Sequence, residues 1–592
     1  MPRRDLAWYC VAVLGAVLAR YGIVLVAWWP AIVAGLVVVA GWVYAPVRER
    51  VARVPHLRWI ALGLLIAGAL VGAWRLLWFA DDALISLHYA RNWIEGHGLV
   101  FNPGERVEGY TNFLWLAMIA ACGRLGLDLP IATLVLGLAA YVATIVLADH
   151  VVRKLSGQRL VASFASVMTA LSYPMMSFAT GGLETVFCAL LVLGMMFAAH
   201  EDRLLLSGTL GIFATMTHPD HALFYAVIAG VVFVPRLVQR RPFVRDLARY
   251  AAPFVVIYVP YFLIRWRYYG DAMPNTFYAK SGGGTYYSQG LAYLFISALV
   301  AGALGVLPAF VVGARHLRHT LFVRIVLVAV PVYLFYVARI GGDFMTGRLI
   351  VPVLPLVFVI AELGVRSVKR ARVAAVLAVP FVLACLPTRV HPAQTERWFM
   401  TDERTFWRVA SLDPLALRGD TAEHAEILGR YFGAAKVRPV YAAFEIGFVG
   451  WQTRFRIVDM HGLIDRELAR TPLTERGRPG HEREATAEYV IARGADLARK
   501  PLYGMPHAQL AVLKLDGHNY HLAKFREELL AEVRGKPGVE LTEMPAYLDA
   551  YAARAASIPE AELAVDLAFF DAYYFSVNPD PVRRANILAA RR

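Results

Sequence analysis

The stretch LRWIALGLLIAGALVGAWRLLWFADD (57–82) decides the fold class of this chain. Residues 57–79 are almost wholly apolar and exceed the roughly 20 residues that a helix needs to cross a bilayer core. Two carboxylates, Asp81 and Asp82, follow directly. Similar runs recur up to about residue 387 and predict about thirteen transmembrane helices. Their approximate limits are 6–27, 29–45, 57–79, 129–148, 160–179, 183–199, 204–217, 219–235, 249–265, 289–312, 321–338, 348–364 and 371–387.

The composition and the distribution of charge agree with a polytopic membrane protein. Apolar residues make up 58% of the 592 residues, charged residues 18%, and the mean hydropathy is +0.50, whereas soluble domains are roughly 25% charged. This balance excludes a disordered protein, a disulfide-rich secreted module and an ordinary cytosolic enzyme. The net charge of +15 does not indicate nucleic acid as a partner, because residues 389–592 hold 28 basic and 28 acidic residues. The excess therefore lies between apolar segments.

The distribution of Lys and Arg also predicts the orientation of the chain. They concentrate in alternate short loops, which are cytoplasmic by the positive-inside rule. The N-terminus is then cytoplasmic, and loops 80–128 and 266–288 and the polar tail lie on the outer side. Residues 110–122 are apolar but too short to span, so we predict a helix that lies on the membrane face.

These predicted spans and the polar tail divide the chain into three parts. Residues 1–56 are two extra transmembrane helices, 57–387 form the main transmembrane domain, and 388–592 form a soluble periplasmic domain. Strand-like runs such as RFRIVDMHG (454–462) alternate there with helical runs such as FREELLAEV (525–533), which predicts α+β packing. The predicted fold is thus mostly α, a polytopic membrane protein with a C-terminal α+β domain.

Asp81 and Asp82 stand at the predicted membrane–water boundary, where burying two carboxylates is costly unless they have partners or a function. One interpretation is that they cap the next helix through its free N–H groups. The other is that one of them accepts a proton from the hydroxyl of an acceptor sugar as that hydroxyl attacks an anomeric carbon. The sequence does not decide which carboxylate is the base.

A polar, glycine-rich loop, GHGLVFNPGERVEGYTNF (96–113), follows the acidic pair. Its length and its many hydrogen-bonding side chains exceed what a plain connector needs. His88 and Arg91 lie at i and i+3 and share a helix face with the acidic pair if the helix begins there. A single side chain of this kind, taken alone, more often has a structural role than a functional one. Together with Glu108 and Asn112 of the loop, we interpret them as the wall of a substrate site.

The turn between two predicted spans carries Arg339, Asp343 and Arg348. Cations at such a position often extend to lipid head groups. The alternative is that Arg339 or Arg348 binds a phosphate and stabilises it as a leaving group. The segment NTFYAK (275–280) offers amide, hydroxyl and ammonium groups suited to a sugar or a phosphate, namely those of Asn275, Tyr278 and Lys280.

Glu184 and Asp220 lie just inside predicted spans and either coordinate a metal ion or order the outer loop. No ligand spacing defines a metal site. The metal therefore stays unknown, and a divalent cation stays open as a cofactor.

Several segments together resemble one family. The loop DDALISLHYARNWIEGHGLVFNPGERVEGYTNFLW (81–115) resembles the first outer loop of GT-C-fold glycosyltransferases, polytopic enzymes that use polyprenyl-phosphate sugars as donors. Within this group the chain is most similar to bacterial proteins related to the mycobacterial terminal β-(1→2)-arabinofuranosyltransferase. Further matching segments are TGGLE (180–184), HPD (218–220), MPNTFYAK (273–280), GGDFMTGR (341–348) and DMHGLIDRELAR (459–470).

The resemblance implies an enzyme that transfers a sugar from a polyprenyl-phosphate donor to a cell-envelope glycan on the periplasmic face of the bacterial inner membrane. It implies that Asp81 or Asp82 is the catalytic base. The expected partners are the lipid-linked donor, a glycan or lipid-linked acceptor and membrane lipids. The matching segments add Glu184, His218, Asp220, Asp459 and His461 to the predicted substrate-binding residues. His218 stands where related sequences often have Arg.

Two other functions remain open at this stage. The chain is then either a non-catalytic envelope scaffold of the same fold, since a fold alone does not fix a function, or a transporter of lipid-linked sugars. The transporter is less favoured, because most polar groups cluster at the outer ends of spans and not at the middle of the membrane.

Overall fold

The computed structural model describes residues 23–25, 55–158, 163–280, 284–368, 388–390, 397–407, 420–473 and 475–589. Up to residue 368 the described chain from residue 55 onward is helical, and the tail is a mixed helix-and-sheet domain. The chain is a multi-pass membrane protein of mostly α structure with a C-terminal α+β domain, as the sequence predicts.

Sixteen helices, with short 3₁₀ and π turns between some of them, make up the first part of the described chain. They are α1 Pro55–Arg75, α2 Asp81–Ile94, α3 Phe113–Arg124, α4 Leu129–Ser156, α5 Phe164–Leu171, α6 Tyr173–Phe178, α7 Thr185–His200, α8 Leu204–Thr217, α9 Ala222–Val238, α10 Val244–Pro253, α11 Val259–Tyr269, α12 Asn275–Lys280, α13 Tyr287–Val300, α14 Ala303–His316, α15 Leu321–Ile340 and α16 Leu354–Ser367.

Six helical segments of the described chain are long and apolar enough to cross a membrane, and a bent pair raises this number to at most seven. They coincide with the predicted spans at 57–79, 129–148, 219–235, 249–265, 321–338 and 348–364. The predicted count of about thirteen spans is not confirmed. Most of predicted span 6–27, and all of 29–45 and 371–387, lie outside the described residues.

Other predicted spans take a different form. Span 289–312 is two helices, α13 and α14, which meet at 90°. The backbone of Gly302 has a left-handed φ of 73°, which glycine adopts at low cost. Span 160–179 is broken into α5 and α6 at Ser172, and Pro174 opens the second helix. Because proline lacks an N–H and fixes φ, it starts a helix more readily than it continues one.

Three further apolar helices are shorter than a span. Helices α7 and α8 occupy the predicted spans 183–199 and 204–217, and α3 occupies the segment predicted as a short helix at 110–122. The end of predicted span 6–27 is not helical, because β1 (Ile23–Leu25) pairs antiparallel with β2 (Thr388–Val390).

The tail contains a six-stranded sheet, which confirms the predicted α+β packing. Its strand order is β4-β3-β5-β7-β6-β8, and β4, β3 and β5 are parallel whereas β5, β7, β6 and β8 pair antiparallel. The strands are β3 Val440–Ala443, β4 Arg456–Asp459, β5 Leu497–Ala498, β6 Val512–Leu515, β7 His518–Leu522 and β8 Val539–Leu541. The helices are α17 Asp420–Phe432, α18 Ile446–Thr453, α19 Ala487–Ala492, α20 His507–Leu510, α21 Glu527–Ala531, α22 Met544–Arg554, α23 Glu560–Phe570 and α24 Pro581–Ala589.

The tail packs directly on the first outer loop. Helix α18 lies against α2, and Gly450 of α18 leaves room for the ring of Phe101. The side chain of Asn102 binds both backbone groups of Ile457 in β4, at 2.9 and 3.0 Å. The loop that contains Phe101 and Asn102 and the tail therefore form one packed unit at the carboxyl end of α1.

Candidate active site

A cavity of about 640 Å³ lies between the start of α2, the end of α12 and the tail. Its wall is rich in charged side chains and also contains aromatic rings. The polar lining residues are Asp81, Asp82, Lys280, Glu403, Thr405, Asp420, Thr421, Glu445, His461, Arg478, His481 and Arg499.

The tail contributes to this cavity through the ends of its parallel strands. Phe444, His461 and Arg499 follow β3, β4 and β5 within two residues and all line the cavity. Because the carboxyl ends of parallel strands meet at one edge of a sheet, these side chains converge. The same edge forms the ligand-binding crevice of open α/β sheets in general.

Asp81 connects the membrane domain to the tail. Its carboxylate accepts hydrogen bonds from the backbone N–H groups of Gly447 (3.0 Å) and Phe448 (2.7 Å), the first residues of α18. These N–H groups have no partner within the helix, so the carboxylate acts as a cap supplied from a distant segment. Capping was one of the two predicted roles of the acidic pair, but the capped helix is α18 and not α2.

We expect the free energy of unfolding to fall as pH rises, because Asp81 loses its proton. Burial raises the pKa of Asp81 to about 8, although the two N–H groups favour the charged form. Between the unfolded pKa near 4 and the folded value, the native state binds more protons than the unfolded state. Unfolding therefore becomes easier as pH rises, and this contribution is fully present only below the unfolded pKa.

The measurement is the unfolding temperature of wild type and Asp81→Asn between pH 5 and pH 9. The Asn variant cannot titrate at this position, so the difference between the two curves should change steadily over this range. A constant difference would show that Asp81 does not carry the pH dependence.

The contact between α18 and α2 leaves no room for a side chain at residue 447. A Cβ on Gly447 would lie 2.0 Å from the backbone oxygen of Asp81. Gly447→Ala should therefore push α18 away from α2 and lower the free energy of unfolding by about 1–3 kcal/mol. The rate of amide hydrogen exchange in residues 446–453 should rise in this variant.

The matched control is Gly429→Ala in α17, where a Cβ meets no other atom within 4 Å. It should leave the protein unchanged or slightly more stable, since alanine favours a helix by about 0.5–1 kcal/mol over glycine. An equal change in the free energy of unfolding for Gly447→Ala and Gly429→Ala would contradict the close packing of α18 on α2.

Arg348 contacts three carboxylates, of which Asp82 lines the cavity, whereas Arg348 itself is not among the lining residues. Its guanidinium contacts Asp82 (3.2 Å), Glu184 (3.3 Å) and Asp343 (3.5 Å), and its side chain is only 11% exposed. Glu184, 2% exposed, also accepts a hydrogen bond from the amide of Asn112 at 2.8 Å. The structure thus brings together five predicted residues from three segments far apart in the chain, namely Asp82 and Asn112, Glu184, and Asp343 and Arg348.

Asp82 differs from Asp81 in both contacts and charge. Its side chain is 22% exposed and lines the cavity. Burial opposes its ionisation, but the positive charges of Lys280 and Arg348 outweigh this and hold the pKa of Asp82 below its usual value. Asp82 is therefore an ionised carboxylate with access to the cavity.

His461 reaches the cavity from a loop that Asp459 organises. The buried carboxylate of Asp459 accepts the backbone N–H groups of His461 (2.8 Å) and Ile464 (2.9 Å). Nδ1 of His461 lies 2.8 Å from the carbonyl oxygen of Arg483. In that geometry Nδ1 donates to the carbonyl, so Nε2 is left as the basic nitrogen of the ring.

Several predicted site residues do not line the cavity and instead hold the loop and the tail together. Arg91 donates to the carbonyl of Trp451 at 2.9 Å and stacks on its ring, and His88 contacts Arg91 at 2.8 Å. Glu108 pairs with Arg265 at 3.1 Å.

The predicted donor-binding residues also differ in position, because some are at the cavity and others make contacts elsewhere. Lys280, at the end of α12, is exposed in the cavity wall. The amide of Asn275 donates to the carbonyls of Gly462 and Leu463 at 2.9 Å, and Tyr278 stacks under the guanidinium of Arg470. Arg339 is exposed at the end of α15, away from the cavity lining. Of the predicted phosphate ligands, Lys280 thus lines the cavity, and Arg348 lies directly behind Asp82, which it contacts at 3.2 Å.

His218 and Asp220 form a separate cluster between α8 and α9, where they contact each other through Nδ1 and Oδ1. They do not line the cavity.

Several residues of the cavity wall were not predicted from the sequence. Arg478 pairs with Glu403 at 2.8 Å and lies over the ring of Phe344, and His481 packs edge-on to the same ring. The segment RGRPGH (476–481) is basic and rich in turn residues. That concentration of charge in a loop was the available signal.

The fold and this site define the chain as a polytopic membrane protein whose C-terminal α+β domain closes a charged cavity against the membrane part. In sequence it is similar to the terminal β-(1→2)-arabinofuranosyltransferase of Mycobacterium tuberculosis, 28% identical over 342 residues that cover 50% of this chain and 53% of that protein. The protein of the same name from Corynebacterium glutamicum is 26% identical over 538 residues, covering 73% and 77%. The predicted resemblance to this group is thereby confirmed, although the chain spans only about half the length of the first relative.

Two further comparisons concern parts of the molecule. Residues 416–542 match a family described as a Domain of unknown function (DUF8728). In structure, the chain can be superposed on ArnT from Cupriavidus metallidurans bound to undecaprenyl phosphate, with a TM-score of 0.46 and 14% identity over 70% of this chain and 88% of that one. The apo form of ArnT gives a TM-score of 0.45 at 15% identity.

Proposed function

We propose that this protein is a membrane glycosyltransferase that moves a sugar from a polyprenyl-phosphate donor to a glycan acceptor at the outer face of a bacterial inner membrane. The observation that carries the proposal is the ionised Asp82 beside Arg348 at the wall of a large cavity above the membrane part. The similarity to two terminal β-(1→2)-arabinofuranosyltransferases supports the same chemistry.

In the proposed reaction Asp82 takes the proton of an acceptor hydroxyl while the oxygen attacks the anomeric carbon of the donor. The bond between that carbon and the phosphate oxygen breaks, and the phosphate leaves with the electron pair as polyprenyl phosphate. The proton passes from Asp82 to solvent after product release. Asp81 is the less suitable base, because both of its oxygens accept backbone N–H groups of α18.

Arg348 and Lys280 are suited to hold the departing phosphate. A guanidinium binds phosphate through paired hydrogen bonds, and an ammonium adds charge nearby. A donor phosphate on Arg348 competes with Asp82 for the same cation at 3.2 Å. Donor binding then frees the carboxylate of Asp82 for the acceptor hydroxyl, so the base becomes active when the donor is in place.

The tail is suited to hold the acceptor, because the loops after β3, β4 and β5 bring Phe444, His461 and Arg499 to the opposite wall. Aromatic rings and charged groups together are typical of sites that recognise a sugar by stacking and hydrogen bonds. We place these loops, and with them the domain 388–592, on the periplasmic side because the orientation from Lys and Arg requires it.

The test uses the full chain in lipid nanodiscs with a radiolabelled polyprenyl-phosphate arabinofuranose and a set of envelope glycans as acceptors. We expect release of polyprenyl phosphate that depends on the acceptor, and label in the glycan. Binding of the donor without turnover for any acceptor or donor sugar would favour the scaffold. Movement of label across sealed liposomes without a new glycosidic bond would favour the transporter.

A further inference from the structure

We propose that His218, Asp220 and His221 bind one divalent transition-metal ion of the zinc type at the outer end of α9. The three residues each offer one ligand atom, and these atoms all lie within 4.8 Å of one another. The site is distinct from the Asp82 cavity, and the proposal does not depend on the proposed glycosyl transfer.

His221 is the residue that points to a ligand. Its side chain is 2% exposed, and among the described residues neither ring nitrogen makes a hydrogen bond of good geometry, although the backbone of Ala214 lies close enough to interact with the ring. Its Nε2 lies 3.9 Å from Oδ1 of Asp220, too far for a hydrogen bond. A buried imidazole so weakly paired is unfavourable. Even where one ring nitrogen donates to Ala214, the other keeps a lone pair that a metal ion would accept.

The local backbone explains why the three ligands converge. His218 ends α8 in an extended conformation, and the 3₁₀ turn Pro219–His221 then folds back before α9 begins. The turn places the rings of His218 and His221 5.4 Å apart, with the carboxylate of Asp220 between their nitrogens.

Two imidazoles and a carboxylate form a ligand set that zinc uses in sites with one open position, with metal–ligand bonds of about 2.0–2.2 Å. Imidazole also suits Fe, Ni and Cu, whereas Mg²⁺ and Ca²⁺ prefer oxygen ligands. In a tetrahedral site neighbouring ligand atoms are about 3.3 Å apart. The metal would therefore separate His218 from Asp220 slightly and draw His221 closer.

A second layer of contacts suits such a site. Tyr333 of α15 donates to the other oxygen of Asp220 at 3.4 Å, and its ring packs near His221 at 6.0 Å. A hydroxyl on the outer oxygen of a ligating carboxylate fixes its orientation, as the partners of metal ligands commonly do.

The test measures metal content and not activity. The full-length protein in detergent is stripped with a chelator, equilibrated with micromolar Zn²⁺ and desalted, and metals are counted by plasma mass spectrometry. We expect about one zinc per chain, and a loss of about tenfold or more in retained zinc for His221→Ala and for Asp220→Asn. The matched control is His97→Ala, which removes an imidazole that is 50% exposed in the outer loop, and zinc should be unchanged.

The second measurement replaces zinc with Co²⁺. When Co²⁺ is bound by few ligands it absorbs visible light, and the spectrum reports its coordination directly. We expect the wild-type spectrum to vanish in both ligand variants, while size-exclusion profiles stay monodisperse. If His221→Ala aggregates, the isosteric Asp220→Asn decides the question. Substoichiometric zinc in the wild type, equal zinc in Asp220→Asn, or preferential retention of Mg²⁺ or Ca²⁺ would overturn the proposal.

Discussion

Asp82→Asn should lower the turnover of sugar transfer by about 10²–10⁴-fold, the contribution expected of a positioned general base. Asparagine keeps the size of the side chain and accepts a hydrogen bond from Arg348, so the cavity should retain its shape. Because Arg348 and Lys280 are the proposed ligands of the donor phosphate, donor affinity should change much less than turnover. The measurement is single-turnover transfer together with direct binding of labelled polyprenyl phosphate.

Two further variants sharpen this experiment. Asp81→Asn removes a cap and not the base, so we expect a modest loss of activity accompanied by faster hydrogen exchange in 446–453. Asp549→Asn changes an acid that is 56% exposed in α22 and should leave transfer unchanged. Full turnover in Asp82→Asn would show that Asp82 is not the base. So would a complete loss of turnover in Asp81→Asn while the tail stays docked.

Arg348→Met should destabilise the protein by about 3–5 kcal/mol, because it leaves Glu184 buried without its cation. Glu184 is 2% exposed, and its remaining side-chain hydrogen bond would be the one from the amide of Asn112. The variant should also lose donor binding, since the guanidinium is the proposed phosphate ligand. The measurements are the unfolding temperature and the affinity for polyprenyl phosphate.

The controls separate these two effects. Arg339→Met removes an exposed cation outside the cavity and should alter neither quantity. Glu184→Gln added to Arg348→Met removes the unpaired charge and should restore much of the stability without restoring donor binding. Donor binding by Arg348→Met at the wild-type level would exclude this residue as the phosphate ligand.

The sequence predicted the elements whose signal is local. A span such as 321–338 is recognised because about 20 apolar residues cannot be placed in water at low cost. The strand at 456–459 follows from a short apolar run bounded by turn residues. The acidic pair was noticed because carboxylates are expensive beside a membrane. These inferences need no knowledge of distant contacts.

Features that depend on long-range contacts were not predictable in this way. The chain bends by 90° at Gly302, and a single glycine in an apolar run does not reveal such an angle. Asp81 caps a helix that begins more than 360 residues later. Nothing near either segment encodes that pairing. His88 and Arg91 were placed in a site wall because they share a helix face with the acidic pair, but that face packs against α18.

The division of the tail sheet has an evolutionary consequence. Three parallel strands carry every sheet-end residue that faces the cavity, while β6 and β8 form an antiparallel half at the far side. If the proposed sugar transfer takes place in this cavity, insertions after β3, β4 or β5 would change acceptor recognition without moving Asp82 or the antiparallel strands. On that proposal, relatives that use different acceptors should diverge most in the length of these three connections.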